Sequence, residues 1–239
     1  MKADAHIHLL PGMDSGPVYD GVAAEMLLRL YEARVRIFVA TPHFFSDRES
    51  VAEFLCRRRL ALARLRAAFG KRYRNVHLLP SAEVMLMSGI STLEGLPSLA
   101  IPGTNLLPVV FPIGDALPAP LMREVAHLIH HRGLCPLFCH VERYLPFFGD
   151  DFDGFLAMNH AAFLISPHAL TSASFAASVA KAVRHGARVF LGSNGHDLSL
   201  RPPSVEAEVN YAGAAAYAYR TVRRATDDFF TSLVRRGIR

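Results

Sequence analysis

His6 and His8 flank a single residue in the run Asp4-Ala5-His6-Ile7-His8 near the start of the chain. In a strand, period-two alternation places Asp4, His6 and His8 on one face. Two imidazoles beside a carboxylate suit a borderline transition metal such as Mn, Fe or Zn. Asp4 would then be either a ligand or an acceptor that fixes the tautomer of a histidine. An H-x-H pair alone is a weak signal, because histidines commonly serve as core or surface residues. Here it is followed by a turn-rich loop, Leu9 to Gly16, and then by Thr41-Pro42-His43, Glu83, His140-Val141-Glu142-Arg143-Tyr144 and Ser193-Asn194-Gly195-His196. These are stretches far apart in the chain, so only a scaffold that gathers them could make one site.

The intervening pattern supplies such a scaffold. Short apolar runs at 36–40, 76–79, 106–111, 134–139, 162–165 and 188–191 read as strands, with residues 4–8 as a first one. Between them, helical patterns cover roughly 20–34, 48–69, 119–132, 171–185 and 204–235, the last with a break near Gly213. Alternating strands and helices predict an α/β fold around a largely parallel sheet. His43, Glu83, His140 and His196 each follow a predicted strand by a few residues at most, and the carboxyl ends of parallel strands converge on one face. With no internal repeat and no long linker, residues 1–239 read as a single domain.

Composition narrows the class. The chain is 51% hydrophobic and 20% charged, the balance of a globular domain, without a run of about 18 apolar residues that would span a bilayer. The sequence passes from Met1-Lys2 straight into the histidine motif, leaving no room for a signal peptide, so a cytoplasmic protein is expected. The net charge of +5 includes Arg57-Arg58-Arg59 and arginines at 64 and 66 in a helical pattern. Without a base-recognition motif these read as a solvated helix face, and no nucleic-acid partner is expected. Cys56, Cys135 and Cys139 are odd in number and lack C-x-x-C spacing, so the latter two read as core thiols. Cys139 precedes His140, but adjacent strand residues point to opposite faces, which argues against a nucleophile–base pair.

Taken in order, DAHIHLLPGMDSG, ATPHF, SAEV, CHVERY and GSNGH, followed by Arg201, resemble the motifs of the polymerase-and-histidinol-phosphatase (PHP) superfamily, from residue 3 to about 205. They are most similar to those of the bacterial manganese-dependent tyrosine-protein phosphatases of capsule and exopolysaccharide operons. The resemblance implies a distorted (β/α)7 TIM-like barrel with a metal cluster, commonly of three ions, at the carboxyl ends of the strands. The implied metal ligands are His6, His8, His43, Glu83, His140 and His196, with Arg143 and Arg201 holding the substrate phosphate. It further implies Mn2+ as the cofactor, with Fe or Zn as alternatives, and a phosphotyrosine protein, a bacterial tyrosine kinase, as the partner.

Two family carboxylates are replaced. Asn194 stands where the family carries a metal-binding Asp and offers only its carbonyl oxygen, and Val110 stands where a ligand Glu is expected. Six positive charges on three ions need more carboxylate than Glu83, with Asp4 and Asp14 as helpers, can supply. Fewer than three ions and reduced activity are therefore expected, unless His160, Asp115 or Asp197 compensates. The competing expectations are a catalytically weakened relative that binds metal or phosphorylated partners, and a phosphatase of the same superfamily acting on a small phosphomonoester. The remaining histidines, His77, His127, His130, His131, His168 and His185, read as surface or core residues.

Overall fold

The structure, a computed structural model, describes residues 1–112, 119–206 and 211–238. Its strands are β1 (Lys2–Ile7), β2 (Val35–Ala40), β3 (His43–Phe44), β4 (His77–Pro80), β5 (Glu83–Met85), β6 (Leu106–Val110), β7 (Cys135–Phe138), β8 (Ala162–Ile165) and β9 (Val189–Leu191). Its helices are α1 (Asp20–Glu32), α2 (Val51–Phe69), α3 (Ala119–Arg132), α4 (Leu145–Phe148), α5 (Phe152–Leu156), α6 (Ala173–Arg184) and α7 (Gly213–Arg235). Every strand pairing is parallel, in two ladders ordered β1-β2-β4 and β3-β5-β6-β7-β8-β9.

The two ladders are continuous through short irregular steps. β2 passes into β3 through Thr41-Pro42, and β4 into β5 through Ser81-Ala82. The Ser81 N–H donates to the Ala40 carbonyl and the Glu83 N–H to the Pro42 carbonyl, at 2.8 and 2.9 Å, so the pairing carries across both steps. Beyond β9, the Asn194 N–H donates to the His6 carbonyl, while the His8 N–H donates to the Gly195 carbonyl, both at 3.0 Å. The end of the last strand is thereby fastened to the end of the first, the strand order expected of a (β/α)7 barrel.

Parallel strands flanked by helices bury both faces, which is why they read as unbroken apolar runs rather than as alternation. One apolar cluster takes Ala3, Ala5, Ile37, Val39, Leu79, Leu137 and Leu164; the other takes Phe38, Leu78, Leu107, Phe138 and Phe163 with Met26 and Leu27 of α1 and Phe54 of α2. The start of α2 is set by a full capping box: Ser50 Oγ accepts the Glu53 N–H and Glu53 accepts the Ser50 N–H. The final helix is shorter than the 204–235 the pattern predicts. It begins at Gly213, whose φ of +53° is the left-handed conformation that ends the preceding segment, while 207–210 lie outside the described residues. No helix among the described residues is long and apolar enough to cross a membrane.

Candidate metal centre

Each polar motif lies at or just past the carboxyl end of β1, β2, β4, β7 or β9. His6 lies within β1 and His8 one residue past it, His43 opens β3, Glu83 opens β5, His140 follows β7 by two residues, and His196 follows β9 by five. His6, His8, Glu83, His140 and His196 are buried, and His43 is partly open. His140, at φ +56°, and Asn194, two residues before His196 and at φ +52°, adopt left-handed backbone although neither is glycine. Such conformations cost free energy and persist where the surrounding structure holds them, as at functional sites.

Glu83 is the hub. Its Oε2 lies 3.2 Å from His8 Nε2, 3.2 Å from His43 Nε2 and 3.6 Å from His6 Nε2, and its Oε1 lies 3.4 Å from His140 Nε2. Even so, this buried Oε2 lacks a well-directed hydrogen bond. Asp14 forms a second hub: its Oδ2 is 2.6 Å from His8 Nδ1 and 3.4 Å from His43 Nδ1, and it accepts the His43 N–H at 2.8 Å. The loop that aims Asp14 needs glycine at position 16, where a Cβ would fall 2.8 Å from the His8 carbonyl oxygen. Two three-residue groups, His6/Glu83/His140 and His8/Asp14/His43, bring their ligand atoms within 4.8 Å of one another.

His196 stacks on His8, ring centroids 3.8 Å apart, and its Nδ1 lies 3.2 Å from Ser15 Oγ. Its Nε2 is 3.0 Å from Asn194 Oδ1. The amide therefore engages the imidazole directly, at the place expected of a carboxylate. Val110 is buried, yet it belongs to neither apolar cluster. Asp4 has no hydrogen bond to a histidine ring nitrogen among the described residues, and its buried Oδ2 has no hydrogen-bond partner. Its Oδ1 accepts the backbone N–H groups of His6 and Ser193 and so ties β1 to the loop after β9, while His6 Nδ1 faces Thr41 Oγ1 at 2.9 Å. Asp14, which the sequence marks only as a helper within the Leu9–Gly16 loop, stands at the centre.

The electrostatics follow from burial against these contacts. Burial drives the His6 imidazole well below its ordinary pKa, leaving a neutral ring with a free lone pair. Burial likewise disfavours charge on His8, but Asp14 and Glu83 outweigh it and lift His8 to about 9. For His196, burial and then the positive His8 and Arg201 push the value down to about 3. Burial opposes ionisation of Glu83 and Asp14, yet the surrounding histidines hold both below the usual carboxylate range. Asp4, with less to offset its burial, is raised to about 6.

Imidazole nitrogens gathered around two ionised carboxylates, with one buried Glu83 oxygen lacking a directed hydrogen bond, are a donor set that fits a divalent cation of the Mn, Fe or Zn kind. Cys139 is no rival for the chemistry: its thiol meets His6 Nδ1 at 3.8 Å rather than His140, and burial raises its pKa well above the usual value, so no thiolate forms.

Arg143 sits on the short turn after His140, its N–H donating to the His140 carbonyl at 2.9 Å. Arg201 returns its carbonyl to the His196 N–H at 2.9 Å. Both are exposed, and neither has a carboxylate within ion-pair reach among the described residues; Glu142 instead accepts the Ser166 N–H. Of the expected compensators, Asp197 is spent on the amides of Ser199, Leu200 and Arg201. His160 lies before the amino end of β8 beside Arg188, away from the cluster, and Asp115 lies outside the described residues. Beside His43, Asp14 and Ser15 opens a cleft of about 920 Å³ walled by Met13, Phe45, Arg48, Cys56 and Arg57.

Residues 2–216 match the family model for capsular polysaccharide synthesis, CpsB/CapC. The chain belongs to this family. No curated protein matches it. Among solved structures it is similar to one from the pair YwqE of Bacillus subtilis and CpsB of Streptococcus pneumoniae, described as unique metal-dependent tyrosine phosphatases. The TM-score is 0.70 at 18% identity over 94% of this chain and 95% of the other, which establishes a shared fold for this CpsB/CapC member. A phospho-2-dehydro-3-deoxyheptonate aldolase from Thermotoga maritima is a much looser match, with a TM-score of 0.43 at 13% identity over 100% of this chain and 71% of the other.

Proposed function

We propose that this CpsB/CapC member is a metal-dependent protein-tyrosine phosphatase of capsular or exopolysaccharide biosynthesis, with a phosphorylated bacterial tyrosine kinase as its partner. One observation carries the reading: the convergence of His6, His8, His43 and His140 on Glu83, 3.2–3.6 Å from its carboxylate oxygens. Family membership and the fold shared with the YwqE/CpsB pair agree with it.

His6, Glu83 and His140 would hold one ion, and His8, Asp14 and His43 a second, with His196 and the Asn194 carbonyl at the edge. When bound, divalent ions supply Lewis acidity, activating water and neutralising charge that builds on the phosphoryl oxygens. The chain's own residues do the rest. Arg143 and Arg201, free of carboxylate partners among the described residues, present planar guanidinium forks suited to the non-bridging oxygens of a phosphate. Glu83 and Asp14 keep the imidazoles oriented. His8, which Asp14 and Glu83 hold protonated, would have to give up a proton from whichever ring nitrogen bound an ion, so metal loading would release a proton. Mn2+ is the ion we assign.

With only Glu83 and Asp14 as carboxylates in the two groups, the site suits one or two ions rather than three. Asn194 and Val110 favour a second reading, a weakened relative that binds phosphorylated partners without turnover. Hydrolysis of p-nitrophenyl phosphate in added manganese separates the two. The phosphatase reading expects turnover abolished by a chelator and by His8→Ala; metal-independent background alone would leave the binding reading.

A further inference from the structure

α2 and the turn after it carry an unusual charge. Residues 51–75 hold eight of the 26 Lys and Arg but one of the 21 acids, so this segment contributes +7 and the rest of the chain −2. The buried stripe Val51, Phe54, Ala61, Leu65 and Phe69 turns the apolar side of the helix into the core and leaves the cations outside. Some of them have structural work. Arg58 donates to the carbonyls of Ser81 and Ser98, Arg64 pairs with Asp20 at 2.7 Å, and Arg66 lies over the Tyr73 ring. Arg59, Lys71, Arg72 and Arg74 are exposed and have no carboxylate within ion-pair reach among the described residues.

This surface is continuous with the site. Cys56 and Arg57 wall the cleft beside His43 and Asp14 together with Glu49 and Glu53; Arg57 is paired with Glu49 at 2.6 Å, and Arg59, which has no carboxylate partner among the described residues, reaches to 3.9 Å from Cys56 Sγ. Arg48, over the Phe45 ring on the same cleft, is a further cation at its mouth. From Cys56, α2 continues to Phe69, or about 20 Å at 1.5 Å per residue, the span of about six residues of extended chain.

We propose that the exposed basic face of α2 and the following turn is a docking track for an acidic polypeptide segment adjoining the phosphotyrosine. This rests on the phosphatase reading and extends it to the kind of protein substrate selected. An anionic membrane is a poorer fit, because Leu60 is the one large apolar side chain this segment exposes and the amphipathic face is already buried. Nucleic acid fits less well too: Tyr73, the exposed end's aromatic, is covered by Arg66 and offers no free stacking platform. Complementary charge flanking a cleft both steers encounter and sets specificity.

The test is fluorescence anisotropy with the manganese-loaded protein. The probes are two labelled peptides centred on a hydrolysis-resistant phosphonate mimic of phosphotyrosine, one flanked by Asp and Glu and one by Gly and Ser. The acidic peptide should bind about tenfold tighter, and the difference should shrink as salt is raised. The triple variant R59E/R72E/R74E, at positions without carboxylate partners among the described residues, should erase the difference while melting like the wild type. Equal affinities for the two peptides, or a difference that survives the triple reversal, would overturn the proposal. So would a variant that loses binding to phosphatidylglycerol vesicles or duplex DNA while its peptide preference stays. Wild-type turnover of p-nitrophenyl phosphate is read in parallel: no manganese-dependent turnover with the peptide preference intact would sink the phosphatase reading and keep the docking track.

Discussion

Glu83 has four imidazole nitrogens within 3.6 Å and a buried oxygen without a directed hydrogen bond, so removing its charge should cost more than a lost contact. Glu83→Gln keeps the shape and is expected to lower bound metal to near zero by elemental analysis and activity at least about 100-fold. The metal-free protein should show a particular pH dependence. His8 is raised to about 9 in the fold, so its proton binds more tightly there than in the unfolded chain. That contribution is complete below about 6.5 and is lost as pH rises through 9. His6 and His196 are lowered instead, so their contribution fades as pH falls below 6.5. In a chelator, the melting midpoint should therefore peak near pH 6.5 and fall on both sides; a midpoint flat from pH 6 to 9 would contradict the His8–Asp14 arrangement.

At the scale of elements, the junction of β1 with the end of β9 is tight. A Cβ at Gly192 would lie 2.6 Å from His6 Cβ and 2.9 Å from the His6 nitrogen, where backbone cannot yield. Gly192→Ala is therefore expected to destabilise by about 1–3 kcal/mol in denaturant titrations. It should also weaken metal binding, because His6 is what the methyl group displaces. Most element boundaries were legible: the helix expected at 119–132 is Ala119–Arg132, and the strand expected at 162–165 is Ala162–Ile165. The two-residue β3, the three-residue β5 and the short α4 and α5 were not, since periodicity has no meaning over so few residues.

For the whole molecule, the balance of charge decides how many ions stay. Asn194 already faces His196 Nε2 at 3.0 Å, so Asn194→Asp supplies a carboxylate without moving the backbone. That variant should bind metal more tightly and raise stoichiometry and turnover, measured by elemental analysis and p-nitrophenyl phosphate hydrolysis. An unchanged metal content would mean that the ions sit elsewhere in the cluster. Metal binding should also stabilise the fold, since ligands from five separate strand ends meet only in the native state; a chelator is expected to lower the melting midpoint by several degrees.

Residue type and order alone determined the chemistry available here. Imidazoles and a glutamate after successive strands, two arginines spaced after His140 and His196, and no usable thiolate could all be read from the chain, because parallel strands deliver the residues at their carboxyl ends to one face of the fold. What only the tertiary structure decided was who meets whom. Asp14 proved to be a hub and Asp4 a tie between β1 and the loop after β9, although both are aspartates a few residues from the same histidines. The role of Asp4 depends on the Ser193 amide, far away in the chain, and that of Asp14 on a turn that aims its carboxylate back at His8 and across to His43; neither the long-range contact nor the direction of a loop side chain leaves a local trace in sequence.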